Sequence, residues 1–102
     1  MLQLKPNCEC CDRDLPPAAT EARICSYECT FCAHCVETVL LNVCPNCGGG
    51  FAPRPIRPAA EHRPGVGLPK QPASTQRVHL KHDRAAIAAF VEGLRGIPPQ
   101  RR

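Results

Sequence analysis

Eight cysteines in four close pairs constrain this chain more than any other feature of it. In order the spacing is Cys8-x2-Cys11-x13-Cys25-x3-Cys29-x2-Cys32-x2-Cys35-x8-Cys44-x2-Cys47. Two intervening residues make a knuckle, a turn that aims both sulfurs at one point. Thiolates must converge in this way at about 2.3 Å from a tetrahedral Zn²⁺. Cys8/Cys11, Cys32/Cys35 and Cys44/Cys47 are knuckles, and Cys25/Cys29 is one residue wider. Four pairs supply two closed four-sulfur sites, so the spacing predicts two Zn²⁺ per chain. Spacing alone leaves two pairings open. Either the first and third pairs share one ion and the second and fourth the other, or Cys8/Cys11 joins Cys25/Cys29 while Cys32/Cys35 joins Cys44/Cys47.

A ninth cysteine, Cys10, makes the count odd, and pairs two residues apart favour metal over disulfides. Cys10 reads first as a spare, partly buried thiol. It is also a candidate redox-sensitive thiol whose pKa a nearby metal lowers, or a residue that exchanges with Cys8 as a ligand. His34 lies inside the Cys32/Cys35 knuckle and is expected to point outward, because sulfurs already fill both sites.

Charge and composition divide the 102 residues in two. Residues 1–50 hold three basic and six acidic side chains; residues 51–102 hold ten basic and three acidic. All nine cysteines fall in the first half, with too few large apolar side chains to offset the entropy of ordering it. That half needs metal to fold. No run approaches the roughly 18 apolar residues of a membrane span. The start, Met1-Leu2-Gln3-Leu4-Lys5, lacks the basic segment followed by an apolar one that marks a signal peptide. A cytoplasmic protein with reduced thiols and no membrane partner is the expectation.

The order of the pairs resembles the RING finger, a cross-braced, treble-clef-like zinc module. Phe31 directly precedes the fifth ligand, where RING fingers commonly carry a core aromatic, and Pro45 lies inside the last pair as Cys-Pro-Asn-Cys. Val36, Val39, Leu40 and Val43 recur at i, i+3, i+4 and i+7, predicting a short amphipathic helix after Cys35. The resemblance implies a small metal-stabilised α+β module with a short hairpin. Its sites would be Cys8, Cys11, Cys32, Cys35 and Cys25, Cys29, Cys44, Cys47. Two departures speak against RING-type ligase activity. The residue before the second ligand, apolar in many ligases, is Cys10, and the Arg or Lys common after the eighth ligand is Gly48.

The opening Leu4-Lys5-Pro6-Asn7-Cys8-Glu9-Cys10-Cys11, together with Phe31-Cys32-Ala33-His34-Cys35 and Cys44-Pro45-Asn46-Cys47, is closer to a short bacterial cysteine-rich family, domain of unknown function 1272. That likeness covers about residues 1–58. It supports metal binding and brings no activity. Cys29-x2-Cys32-x2-Cys35 followed by Cys44-Pro45 is also similar to the ferredoxin iron–sulfur run. However, the last gap is eight residues instead of three, and a cluster there would strand Cys8, Cys11, Cys25 and Cys47.

No catalytic set emerges. Hydrolytic zinc keeps an open position, whereas eight cysteines saturate two ions, and Asp12, Asp14 and Glu37 read as solvated charges. Residues 51–77, with six prolines among Arg54, Arg57 and Arg63, predict a flexible linker. In 78–96, Leu80, Ile87, Val91 and Leu94 lie on one helical side, Asp83 is the expected N-cap, and Gly96 and Pro98 supply the stop. His79 and His82 stand three apart but make a poor metal site. Residues 97–102 form a basic, disordered end.

Ten basic residues in the second half would make salt-sensitive phosphate contacts, yet aromatics for base stacking are nearly absent. Counting eight thiolates and two Zn²⁺, the first half falls to about −7 while the second stays at +7. That opposition predicts a tail docked on its own zinc half and disfavours a nucleic-acid partner. The reading that follows is a non-catalytic zinc module, 1–50, that binds another protein, with a thiol or metal sensor centred on Cys10 as the alternative.

Overall fold

In the computed structural model, which describes residues 1–102, regular structure is confined to short pieces between the cysteine pairs and one longer helix near the end. Strands β1 (Ala22–Ile24) and β2 (Thr30–Cys32) form an antiparallel hairpin in which Arg23 faces Phe31 and Ile24 faces Thr30. β-Branched and aromatic side chains suit such a half-buried ribbon. Its turn holds Cys25 and Cys29, and Glu28 adopts φ 66° to close it. Strand β3 (Ala52–Pro53) pairs with the other edge of β1, giving the order β2-β1-β3. Pro53, which lacks an N–H to donate, stands on that edge.

After β2 the chain winds through one helical turn, α1 (Ala33–Cys35), into a wider π-helical turn over Val36–Leu40. The predicted helix is present but shorter than its periodicity suggested. Leu41 and Asn42 both take left-handed conformations, φ 48° and 61°, and reverse the chain. Val43 therefore lies beyond the helix, yet it is as fully buried as Leu40. The reversal carries Cys44 back toward the hairpin turn.

Leu15, Phe31, Leu40 and Val43 pack among the cysteines to form the core, with Phe51 edge-on to Phe31 at 5.4 Å. Helix α2 (Arg84–Leu94) is capped as the sequence predicts: Asp83 accepts the Ala86 N–H at 2.7 Å. Ile87 and Val91 enter the same core, with Leu80 and Leu94 against its rim. An isolated eleven-residue helix is marginal in water; here its apolar side is covered by the cysteine-rich half of the same chain.

The structure differs from the sequence expectation over 51–77, predicted as a flexible linker. The segment lies along residues 2–16 as a strap. The Arg54 guanidinium is buried and donates to the Lys5, Leu15 and Pro16 carbonyls at 2.9, 3.2 and 2.9 Å. Arg57 donates to the Leu2 and Gln71 carbonyls. Proline-rich composition predicts little secondary structure, which holds. It misses that extended backbone can be fixed by donors from its own arginines. Residues 97–102 are likewise not a loose end: Pro99–Arg101 forms a 3-10 turn, and Arg102 donates to the Asn42 and Gly48 carbonyls. No helix is long and apolar enough to cross a membrane.

Candidate metal centres

The strands and turns bring the cysteine pairs together alternately. The first knuckle precedes the hairpin and the third follows it. Since Cys32 ends β2 and Cys35 ends α1, the sulfurs of Cys8, Cys11, Cys32 and Cys35 lie within 4.8 Å of one another. At the other end of the hairpin, Cys25 meets Cys44 and Cys47 within the same limit. Cys29, the remaining member of the second and wider pair, stands beside Cys25 with its sulfur just outside that convergent set. It accepts a hydrogen bond from Asn46 Nδ2 at 3.4 Å. The pairing is thus interleaved, and the sequential alternative left open by spacing is not the one adopted.

The geometry fits metal better than disulfides. Cys11 Sγ and Cys32 Sγ are 3.7 Å apart, whereas a disulfide requires about 2.05 Å. An edge of a sulfur tetrahedron with metal–sulfur bonds of about 2.3 Å is about 3.8 Å long. All nine cysteines are free thiols. Backbone donors are arranged around them: the N–H groups of Tyr27, Cys35 and Gly49 point at the sulfurs of Cys25, Cys32 and Cys47 at 3.3–3.4 Å. Such donors stabilise negative charge on sulfur. Two cysteine clusters are therefore positioned to hold metal ions.

Burial works the other way on the free thiols. Burial raises Cys8 to about 11, against hydrogen bonds from the Cys11, Cys32 and Cys10 backbone that lower it. Burial also raises Cys35 and Cys44 far above the ordinary thiol range, and Cys29 by less. Cys11 is the exception. Burial raises it, but the Arg13 backbone and the thiols of Cys8, Cys32 and Cys35 outweigh that and leave it below its usual value. Buried thiols of this kind hold their protons until a cation compensates the charge.

Cys10 belongs to neither cluster. It is partly buried against the core and adds a small push to the Cys35 thiol, which burial raises first and then Cys8 and Cys32. His34 is exposed, as expected for the middle of a knuckle. His79 stands 3.7 Å from Asp12, beside Arg77, with no second histidine joining it in a cluster.

The structure also shows three residues that sequence reasoning passed over. Glu9, buried between two cysteines, accepts the Thr30 N–H at 2.6 Å and faces Lys5 at 3.2 Å, fastening the first knuckle to β2. Asn7 is fully buried. Its amide donates to the Cys8 and Val78 carbonyls and the Asp12 carboxylate, and its oxygen accepts the Val78 N–H. Arg54 is the third. The i,i+4 spacing of Lys5 and Glu9 was a weak signal for one of them; nothing local marks Asn7 or Arg54.

The charge opposition between the halves is realised at one place. Arg77 pairs with Asp12 and Asp14 at 2.9 and 2.7 Å, and its hydrogen bond holds the Asp12 carboxyl below the usual carboxylate range. The other arginines that tie the second half to the first, Arg54, Arg57 and Arg102, donate to backbone carbonyls.

A family model described as protein of unknown function (DUF1272) matches residues 1–57. An uncharacterized protein of Rhizobium meliloti (strain 1021) is 60% identical over 78 residues, 76% of this chain and 86% of the relative. That match is longer than the family match, so it runs on beyond the cysteine-rich half. No solved structure matches the chain.

Proposed function

The chain belongs to the DUF1272 family of proteins of unknown function, and from that premise we propose that it is a non-catalytic two-zinc module that binds another protein. The observation that carries this reading is the interleaved, all-sulfur donor set. With Cys29 completing the second group, eight sulfurs on two ions would leave no position for water or substrate, which is the pattern of structural zinc. Zinc suits four thiolates at tetrahedral spacing, and the edge between Cys11 and Cys32 has the length such a site needs. The alternation of the pairs around the hairpin supports a RING-like or treble-clef-like arrangement. Pro45 between the last two cysteines and the fully buried Phe31 support the same reading.

A surface for a partner lies between the π-helical turn and β3. An open hollow of about 480 Å³ there is lined by Arg23, Val36, Glu37, Leu41, Asn42, Phe51 and Pro53. Tyr27, at the tip of the hairpin turn, is 75% exposed. Apolar side chains ringed by charge are what a protein surface recognises.

Elemental analysis of protein expressed without added metal should give two zinc per chain and no colour. One equivalent, or a brown protein with iron absorbing near ~400 nm, refutes the metal reading. The binding role requires a partner, recovered from the native host, that is lost on Leu41→Glu while both metals stay in place.

The place of Cys10, a free thiol outside both sulfur sets and partly buried against the core beside them, supports a second reading, a thiol-based sensor. Release of zinc at low peroxide doses, abolished by Cys10→Ser, would favour it over the binding role.

A further inference from the structure

The two sulfur sets are not equivalent in their surroundings. In the first, Cys8, Cys32 and Cys35 are buried and only Cys11 is exposed, and all four sulfurs converge. In the second, Cys25 and Cys44 are buried, Cys29 is half-buried and Cys47 is exposed. The Cys29 sulfur lies outside the convergent set and is engaged by Asn46 Nδ2. The second set thus has two deeply held ligands where the first has three, and one of its sulfurs has a competing partner.

The closing segment of the chain lies on this second set. At Gly48, directly after the last ligand, a Cβ would sit 3.1 Å from Leu94 Cδ1 and 3.7 Å from Phe90 Cζ, so helix α2 presses on the knuckle. Gly48 also holds φ 81°, which a glycine adopts without strain. At Gly50 a Cβ would meet Pro99 at 3.1 Å. Arg102 ties the arrangement together. Its Nη1 donates to the carbonyls of Asn42 and Gly48 at 2.8 and 3.1 Å, and its Nε to Ile97 at 2.9 Å. Beside it an open hollow of about 250 Å³, walled by Ser26, Tyr27, Leu94 and Arg102, reaches Cys47.

We propose that the second sulfur set, Cys25, Cys29, Cys44 and Cys47, is an exchangeable metal site whose opening is latched by Arg102, while the first set is the permanent one. The inference rests on the two-zinc reading above and adds a division of labour to it. Cys47 is the ligand that an incoming thiol or chelator meets first, through the hollow. With metal bound, the exchange at Cys47 would be a ligand substitution in which the incoming thiol gives up its proton and the departing Cys47 sulfur gains one, so that atoms and charge balance and no oxidant is needed. Docking of the closing segment holds the 44–48 knuckle around Cys47. Releasing the Arg102 bonds frees Gly48 and the knuckle to swing outward. The second half covers the first set as well, through Arg77 on the Asp12 carbonyl and Asn7 on Val78, but three of its ligands are enclosed by the core and Glu9 anchors its first knuckle to β2, so only Cys11 lies within reach of solvent.

The test uses the full chain with both metals bound. A chromophoric zinc chelator in large excess should remove the two ions in two phases of equal amplitude. Stopping after the first equivalent and alkylating the freed thiols should label Cys25, Cys29, Cys44 and Cys47, and leave Cys8, Cys11, Cys32 and Cys35 protected. Cys10, in neither set, is scored apart. Arg102→Ala should speed the fast phase by roughly tenfold, equivalent to about 1.4 kcal/mol, and leave the slow phase unchanged. Arg101→Ala removes the same charge from a side chain with no such carbonyl bonds and should change neither phase. Labelling of the first set before the second, or release from both at one rate, overturns the exchangeable site. Equal effects of Arg101→Ala and Arg102→Ala, or none from either, overturn the latch. Failure of the two-zinc reading is read separately, as fewer than two zinc in the starting protein.

Discussion

Replacing Arg54 tests whether the proline-rich strap is part of the folded unit. Arg54 is 4% exposed, and its guanidinium holds three carbonyls, Lys5, Leu15 and Pro16, at 2.9–3.2 Å. No carboxylate bonds to it, and its Nε has no acceptor. In Arg54→Met the stem volume is largely kept and the donors are removed. The Leu15 bond is fully buried, so that carbonyl loses a partner that water cannot easily replace, at about 1–3 kcal/mol. The other two bonds are partly buried and recover part of their loss through hydration. Against this, burial lowers the Arg54 pKa, a sign that the charged form is itself disfavoured there, and methionine relieves that penalty. The net expectation is a destabilisation of about 2–3 kcal/mol. Arg54→Lys should recover less than half, because an ammonium cannot reach three carbonyls arranged for a planar fork. Urea unfolding of the metal-loaded protein, at a buffered free-metal concentration, measures it; without that buffer, metal release would enter the apparent stability. A loss below about 0.5 kcal/mol, or full rescue by lysine, would show that the strap lies on the module without supporting it.

Three further outcomes follow from the sulfur geometry and the contacts between the halves. Cys10→Ser should keep both metals, whereas Cys11→Ser or Cys32→Ser should lose at least one; metal analysis showing the reverse for Cys10 and Cys11 would put Cys10 in the ligand set. Metal uptake should release protons, because burial holds Cys8, Cys35, Cys29 and Cys44 protonated at neutral pH in the free protein. With at least two such thiols in each set, affinity should fall about a hundredfold or more per pH unit lowered; an indicator dye that records no proton release would refute this. Raising salt from 0.1 to 1 M should leave the docking of α2 almost unchanged. The charge pairs between the halves, Arg77 with Asp12 and Asp14 and His79 with Asp12, are all at one exposed place and contribute little, and NMR shifts of Val43 and Gly48 that move substantially with salt would contradict it.

How much of this was legible in the sequence depends on whether the information was local. Knuckles are local, since two intervening residues decide which way a pair of sulfurs faces, so the four pairs and the outsider Cys10 could be named from spacing. The interleaving was not in the spacing; it came as an implication of the RING-like order. It is realised because a three-residue strand places Cys32 a hairpin's length from Cys25. The Asp83 cap and the buried Ile87 and Val91 were legible for the same local reason. Asn7 was not, because its partner Val78 is seventy-one residues away. The strap was misjudged because composition reports on secondary structure and burial, and Arg54 obeys neither: it is a charged residue, buried, in a segment with almost no strand or helix.

Those long-range ties also bear on where the functional unit ends. The family match stops at residue 57, and the last metal-set cysteine is Cys47. Yet Leu40, Val43 and Cys44 share one core with Ile87 and Val91, and the Asn7 amide spans from the first knuckle to Val78. A chain cut after residue 57 would keep Arg54 and the cysteines but uncover the side of the core that α2 occupies. It would also lose the Arg102 bonds on the second knuckle. Exposing two large side-chain sites in a module with so little apolar material removes a substantial part of its burial, about 1.5–3 kcal/mol for each of Ile87 and Val91. The metal sites would then have to hold a fold that, in the full chain, they share with the helix. On this reasoning residues 58–102 are a structural part of the cysteine-rich module, held to it by the packing of Ile87 and Val91 and by bonds such as Asn7–Val78 and Arg102 to backbone carbonyls, not by the opposite charges of the two halves.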